Sequence, residues 1–130
     1  MQADFDTALH AFHAHRDGGF AEYVVAPESA SYKIDTSKVP VEVISLVEPY
    51  SIGAEVAMRG NIHEGDKVLV MGSGPIGITV MQVAKARGAS VMMTDLFDSR
   101  LERAKALGAD IVVNVKEKDL EKEVMAWTDG

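Results

Sequence analysis

The sequence predicts an α/β fold in which parallel strands alternate with helices as a β-α-β-α-β unit. Residues 68–71 form a continuous apolar run, which is typical of a parallel strand buried on both faces. Similar short runs occupy residues 91–93 and 111–113, and helical patterns fill the intervals between them. Because parallel strands are joined by right-handed crossovers, these runs predict half of a doubly wound sheet of the Rossmann type.

The residues upstream of this unit carry weaker signals. His10, His13 and His15 lie close together, but no carboxylate or cysteine follows at a matching ligand spacing, so a metal cluster is not the favoured interpretation. Residues 20–25 and 32–34 predict two extended segments of a small antiparallel sheet.

Residues 39–60 predict a helix that is interrupted at Pro49, because proline is tolerated in the first turn of a helix and not in its interior. A new helix should therefore start near Glu48 and end at Gly60 as its C′ glycine. The carboxylate of Glu48 lies at this break, where the pattern alone favours a helix cap and leaves a functional role open.

Three glycines, Gly72, Gly74 and Gly77, follow the first strand in the spacing G-x-G-x-x-G and open a helix that stops at Gly88. The first permits a tight turn, the second lets the backbone approach a diphosphate, and the third allows close packing of helix on strand. Unpaired N–H groups and the positive end of the helix dipole can then hold the diphosphate without a lysine. Pro75 in the first turn removes no helix hydrogen bond.

Such a glycine triplet alone is also compatible with a simple tight turn. Here a strand precedes it, a helix follows it, and Asp95 ends the second strand eighteen positions after Gly77. In this context the motif predicts a dinucleotide site, with the Asp95 carboxylate accepting hydrogen bonds from both ribose hydroxyls. The 2′-phosphate of NADP would face this carboxylate, so the pattern favours NAD.

The next helix should be capped by Asp98 or Ser99 and end at Gly108. Arg100 at its start can lie against an adenine, and the alternative is an exposed arginine without a partner. The residues expected to face inward are Leu101, Ala104 and Leu107. In a last helix, Leu120, Val124 and Trp127 are expected to lie on one face.

Composition excludes several classes of protein. The 130 residues carry a formal charge of −7 without a basic cluster, which argues against nucleic acid and anionic membranes as partners. No apolar run approaches the roughly 18 residues of a membrane span, and no charged-then-apolar leader opens the chain, so we expect a cytoplasmic protein. The absence of cysteine excludes disulfides and thiolate metal sites within these residues.

Four segments of the chain resemble the zinc-type medium-chain alcohol and polyol dehydrogenases. They are HRDGGFAEYVVAP at 15–27, LVEPYSIGAEVA at 46–57, EGDKVLVMGSGPIGI at 64–78 and TDLFDSRLERAKALGAD at 94–110. Within that family the pattern is most similar to sorbitol, threonine and sugar-acid dehydrogenases.

The resemblance implies a subunit with two domains. Residues 1–47 would be the C-terminal remnant of a GroES-like catalytic domain, and residues 48–130 the first half of an NAD-binding Rossmann domain. Enzymes of this family use zinc to polarise a secondary alcohol, here of a polyol or sugar acid, and pass its hydride to NAD. They are usually homodimers or homotetramers.

The resemblance also assigns individual residues. It places Ile76, Asp95 and Arg100 at cofactor positions beside the glycines and Pro75, and Glu48 at a zinc ligand or at a carboxylate that holds the zinc-bound water. The cysteine and the His-Glu pair expected to bind catalytic zinc would precede His15 and are not present. We therefore expect an incomplete chain that is inactive alone.

Two expectations concern the chain as a whole. Residues 1–12 do not match the family pattern, and the first strand should leave an uncovered edge that calls for a fourth strand or a partner. The alternative to an enzyme fragment is a non-catalytic nucleotide-binding or oligomerising module.

Overall fold

The computed structural model describes residues 19–130, and the chain divides between Lys38 and Val39 into two units. In residues 19–38 the regular structure is a 3-10 turn at Glu28–Ala30. No strand forms in this described part of the first unit, so the predicted antiparallel sheet over residues 20–25 and 32–34 is wrong there. An extended segment becomes a strand only when a neighbour completes its hydrogen-bond ladder. His10, His13 and His15 lie outside the described residues.

The second unit is built on a three-stranded parallel sheet in the order β1-β2-β3. Its elements alternate as predicted, which confirms the β-α-β-α-β unit. In chain order they are α1 (Val41–Ile44), α2 (Val47–Arg59), β1 (Lys67–Met71), α3 (Pro75–Ala86), β2 (Ser90–Asp95), α4 (Asp98–Ala106), β3 (Ile111–Asn114) and α5 (Leu120–Thr128).

The central strand β2 is the one buried on both faces, with Val91, Met92 and Met93 fully buried. Strand β1 alternates instead: Val70 is buried, whereas Met71 is 76% exposed. The prediction that residues 68–71 are buried on both faces is therefore wrong. The reason is position, because β1 forms an edge of the described sheet and has a neighbouring strand on one side only.

The core lies between the sheet and the helices α2, α3 and α4. Met81, Met92 and Met93 are the largest fully buried side chains, and small alanines pack among the buried residues. Helices α2 and α3 approach closely because Gly53 has no side chain: a Cβ there would lie 2.8 Å from the carbonyl carbon of Thr79. The hydroxyl of Tyr50 donates a hydrogen bond to Gln82 and joins the same two helices.

The helix ends follow the glycines, with one exception. After the last residues of helix α3, Gly88 is the C′ glycine, with φ +86, and its N–H donates to the Lys85 carbonyl at 2.9 Å. Gly108 ends α4 in the same way with φ +116. At the end of α2, Gly60 keeps a right-handed φ of −71 and Asn61 takes the left-handed φ of 51. The prediction of Gly60 at C′ is thus wrong by one residue, since asparagine also tolerates this conformation.

Helix starts were predicted less well. Pro49 lies in the first turn of α2, as predicted. Helix α4, however, begins after Phe97, which makes no side-chain cap, and Asp98 is already helical. The predicted cap at Asp98 or Ser99 is therefore wrong, because Asp98 accepts a hydrogen bond from the Asn114 side chain at 2.7 Å instead. Leu107, expected to face inward, is exposed.

None of the helices within residues 19–130 combines the length and the apolar character needed to cross a membrane.

Candidate functional site

The turn between β1 and α3 is shaped by Gly72 and Gly77. Gly72 has φ +102, a conformation that side chains rarely allow, and its N–H donates to the Thr94 carbonyl at 2.9 Å, continuing the pairing with β2. A Cβ on Gly77 would lie 1.9 Å from the Gly72 carbonyl oxygen. Both glycines are therefore required by the backbone of the turn itself.

Gly74 is different, because the fold does not require a glycine at this position. Its backbone is extended, with φ −76 and ψ −178, and a Cβ there would meet no atom within 4 Å. It is the N-cap of α3 but supplies no side-chain cap, and Pro75 follows it in the first turn. The start of α3 is thus left bare, with free space next to its N–H groups.

Asp95 ends β2 beside this turn and is 8% exposed. Its Oδ2 accepts a hydrogen bond from the Ser73 N–H at 3.0 Å, and its Oδ1 accepts from the N–H groups of Leu96 at 2.7 Å and Phe97 at 3.2 Å. The Nη1 of Arg100 lies 3.5 Å from Oδ2. The carboxylate therefore ties the glycine turn to the start of α4.

These contacts determine the charge of Asp95. Burial by itself would raise the pKa of its carboxyl, but the N–H groups of Ser73, Leu96 and Phe97, together with the Arg100 charge, more than offset burial and lower the pKa. The carboxylate is thus an ionised acceptor at neutral pH. A carboxylate has about four lone-pair positions, and three of these already accept hydrogen bonds from backbone N–H groups. About one position is therefore left to accept a hydrogen bond from a further hydroxyl.

The predicted cofactor residues meet at one end of the sheet, where β1 and β2 finish. Gly72, Asp95 and Arg100 line a crevice of about 460 Å³. A second groove of about 920 Å³ runs along the free edge of β1 and is lined by the remaining predicted residues, Gly74, Pro75, Ile76 and Gly77. In open α/β sheets, ligands bind in crevices at the carboxyl ends of the strands.

Arg100 is neither unpaired nor free of neighbours. Besides its contact with Asp95, its Cζ lies 5.1 Å from the centre of the Phe97 ring. The alternative of an exposed arginine without a partner is therefore not what the structure shows.

Glu48 is the predicted residue that stays apart from this cluster. It lies exposed in the first turn of α2, where a negative charge complements the helix dipole. Within residues 19–130, no three His, Cys, Asp or Glu side chains are grouped so that they could hold a metal ion. The described residues thus do not by themselves form a metal site of three or more such ligands, and the metal role of Glu48 stays a prediction.

Sequence reasoning missed two residues, Ser73 and Phe97. Ser73 is buried, and besides its N–H contact with Asp95 its hydroxyl donates to the Thr94 carbonyl at 3.2 Å. It occupies a variable position of the G-x-G spacing, so the motif carries no signal for it. The pattern carried no signal for Phe97 either, because the sequence placed the cap of this helix at Asp98 or Ser99 and only the structure shows Phe97 as the N-cap.

Comparison with known proteins adds an independent finding. The zinc-binding dehydrogenase family matches residues 75–130. The L-threonine 3-dehydrogenase of Pyrococcus horikoshii is 42% identical over 120 residues, covering 92% of this chain and 34% of the relative. The sorbitol dehydrogenase of Bacillus subtilis is 35% identical over 113 residues, or 86% of this chain and 32% of the relative.

Solved structures agree with these relatives. An alcohol dehydrogenase from Escherichia coli in complex with NADH superposes with a TM-score of 0.81 at 40% identity, covering 89% of this chain and 34% of the other. The chain spans about a third of the length of the curated relatives that it matches.

Proposed function

Because this chain belongs to the zinc-type medium-chain alcohol dehydrogenase family, we propose that residues 48–130 are the first half of its NAD-binding domain. Residues 1–47 would be the end of the GroES-like catalytic domain. The alternation of β1, α3, β2, α4 and β3 supports the first assignment.

We further propose that the whole protein transfers hydride from a secondary alcohol of a polyol or sugar acid to NAD. Two relatives are named threonine and sorbitol dehydrogenases, and one related structure contains NADH. Zinc, when bound, would polarise the alcohol oxygen. Glu48 would join zinc ligands from outside residues 19–130, and the described residues contribute cofactor binding rather than the chemical step.

The observation that carries the proposal is the free space at Gly74. Gly72 and Gly77 are explained by the turn, but Gly74 has ordinary dihedral angles and no neighbour within 4 Å of a Cβ. A ligand that needs close access to the backbone explains this glycine. The bare N–H groups at the start of α3 are suited to a diphosphate.

In this proposal Asp95 binds the adenosine half of the cofactor. Its remaining acceptor position can take one ribose hydroxyl, and its negative charge disfavours a 2′-phosphate at the same place. Arg100 borders the same crevice, where its guanidinium can pack against an adenine. This arrangement supports NAD over NADP.

The test is a calorimetric titration of the chain with NAD and, separately, with NADP. We expect binding of one NAD per chain and weaker binding of NADP. Absence of any heat of binding with NAD, in a chain whose circular dichroism shows the folded state, would contradict the proposal.

The second candidate is a nucleotide-binding or oligomerising module without catalysis, and the exposed edge of β1 favours it. Turnover of the whole protein with zinc and NAD over a panel of polyols separates the two, since a module would show none. The dimeric or tetrameric state and the cytoplasmic location expected from the sequence remain predictions.

A further inference from the structure

Phe97 stands where an aromatic ring gains little from local structure. It is the N-cap of α4, makes no side-chain cap, and is 51% exposed. Ser, Thr, Asp or Asn at this position would stabilise the helix start. An aromatic ring contributes more to stability when it is buried than when it is half exposed. Neither helix capping nor the core therefore explains this side chain.

Two cations lie over the Phe97 ring. The Cζ of Arg100 is 5.1 Å and the Nζ of Lys116 is 5.0 Å from the ring centre, both inside the distance of about 6 Å at which cation–π attraction acts. Arg100 comes from the first turn of α4, and Lys116 from the turn after β3. The ring thus connects two segments that border the crevice containing Asp95.

Arg100 is held at two points as a result. Its Nη1 lies 3.5 Å from Asp95 Oδ2, while the ring contacts the guanidinium carbon. The Arg100 side chain is otherwise more than half exposed, and a long exposed side chain at a surface crevice would sample many rotamers. A cation–π contact with the ring favours the rotamer that points toward Asp95.

We propose that Phe97 is a positioning residue for the adenosine half of the dinucleotide: its ring holds the Arg100 guanidinium beside Asp95, ready to pack against the bound adenosine. This inference rests on the proposed cofactor-binding function. Phe97 acts through Arg100, so its contribution is to lower the ordering cost of the arginine on binding rather than to add a contact of its own.

The test uses adenosine diphosphate, which carries the adenosine and the diphosphate without the nicotinamide, titrated into the chain and its variants. Phe97→Ala removes only the ring and keeps the backbone N–H that donates a hydrogen bond to Asp95. We expect it to weaken binding about two- to fivefold, the range of an exposed cation–π contact. Phe97→Leu should show the same loss, and Phe97→Tyr should retain wild-type affinity. Met125→Ala, which is equally exposed at 51% but lies in α5, is the matched control.

A double-mutant cycle decides how the ring acts. Arg100→Ala should weaken binding, and adding Phe97→Ala to it should bring no further loss. Additive losses would overturn the inference, because the ring would then contact the nucleotide directly. Wild-type affinity in Phe97→Ala would overturn it too. A wild-type chain that does not bind adenosine diphosphate would overturn both the proposed function and this inference. A wild-type chain that binds it, with variants that behave otherwise than expected, would overturn this inference alone, so the two failures are distinguishable.

Discussion

At the scale of the residue, the three glycines of the motif have different structural roles. Gly72 needs its positive φ and Gly77 needs the absence of a Cβ, whereas Gly74 needs neither. The motif predicted all three, but it assigned their separate roles only by analogy. The structure shows that two of them are demanded by the protein and one leaves room for a ligand.

The first prediction follows from that difference. Gly74→Val should fold with nearly unchanged stability, because its backbone is extended and its Cβ meets free space, yet it should weaken NAD binding at least tenfold by blocking the diphosphate. Calorimetry with NAD and thermal unfolding measure the two effects. Gly77→Ala is the counterpart: its clash should cost about 3 kcal/mol of stability. If Gly74→Val and the wild type bound NAD with equal affinity, the diphosphate would have to bind somewhere other than next to Gly74.

The second prediction concerns Asp95. Asp95→Ala should weaken NAD binding and reduce the preference for NAD over NADP, since the 2′-phosphate would no longer meet a carboxylate. It should also lower stability by about 1–3 kcal/mol, because three backbone N–H groups lose their acceptor. The ratio of the two dissociation constants is the measurement. A ratio identical to that of wild type would show that the carboxylate does not select the cofactor.

At the scale of the element, the packing of α2 on α3 depends on one small residue. In a helix interior, replacing glycine by alanine normally stabilises by about 1 kcal/mol. At Gly53 the added Cβ would lie 2.8 Å from the Thr79 backbone, which has no flexible end to move aside. Propensity and packing thus predict opposite signs, and packing should prevail.

The third prediction is therefore that Gly53→Ala destabilises the chain, by about 1–3 kcal/mol. Urea unfolding followed by circular dichroism measures it. Ser51→Ala, on the exposed side of the same helix, is the control and should change the free energy of unfolding by no more than about 0.5 kcal/mol. A gain in stability for Gly53→Ala would mean that α2 and α3 can move apart to fit the added methyl group without loss of free energy of unfolding.

At the scale of the whole molecule, ionised aspartates connect elements that are distant in sequence. Asp110, after α4, accepts a hydrogen bond from the Val91 N–H at 2.6 Å and pairs with Lys85 of α3 at 2.8 Å. Burial would raise the pKa of its carboxyl, but the contacts with Lys85 and Val91 and the charge of Lys105 lower it overall. Asp95 has the same sign of shift.

The fourth prediction is a loss of stability in acid. A carboxyl whose pKa is lower in the folded than in the unfolded state contributes stability that is fully present above its unfolded pKa, about 3.9. That contribution is lost as pH falls from this value through the lower folded pKa. Urea unfolding at several pH values should show the decline below about pH 4, and Asp110→Asn should make it shallower. A variant with an unchanged slope would show that Asp110 does not take part.

How much the sequence could predict depended on the range of the interaction. The order of strands and helices, the turn at residues 72–77 and the glycine ends of α3 and α4 were predicted because they depend on neighbouring residues. The sheet proposed for residues 20–25 failed because a strand needs a partner. The uncovered edge of β1 was predicted, but its burial on both faces was wrong because an apolar run does not show which of its side chains other elements cover. For Phe97, the pattern did not show the cations that lie over its ring.

The sequence by itself determined the parallel β-α-β-α-β unit, the position of the glycine turn and the placing of an acid at the end of β2. Only the tertiary structure decided that Gly74 combines free space with an ordinary backbone conformation. It also decided that the Asp95 carboxylate accepts three backbone N–H groups and that the Phe97 ring lies against Arg100. The physical reason is that periodicity and turn chemistry are local. Free volume, burial and charge pairing are set by distances between residues that the chain brings together only on folding.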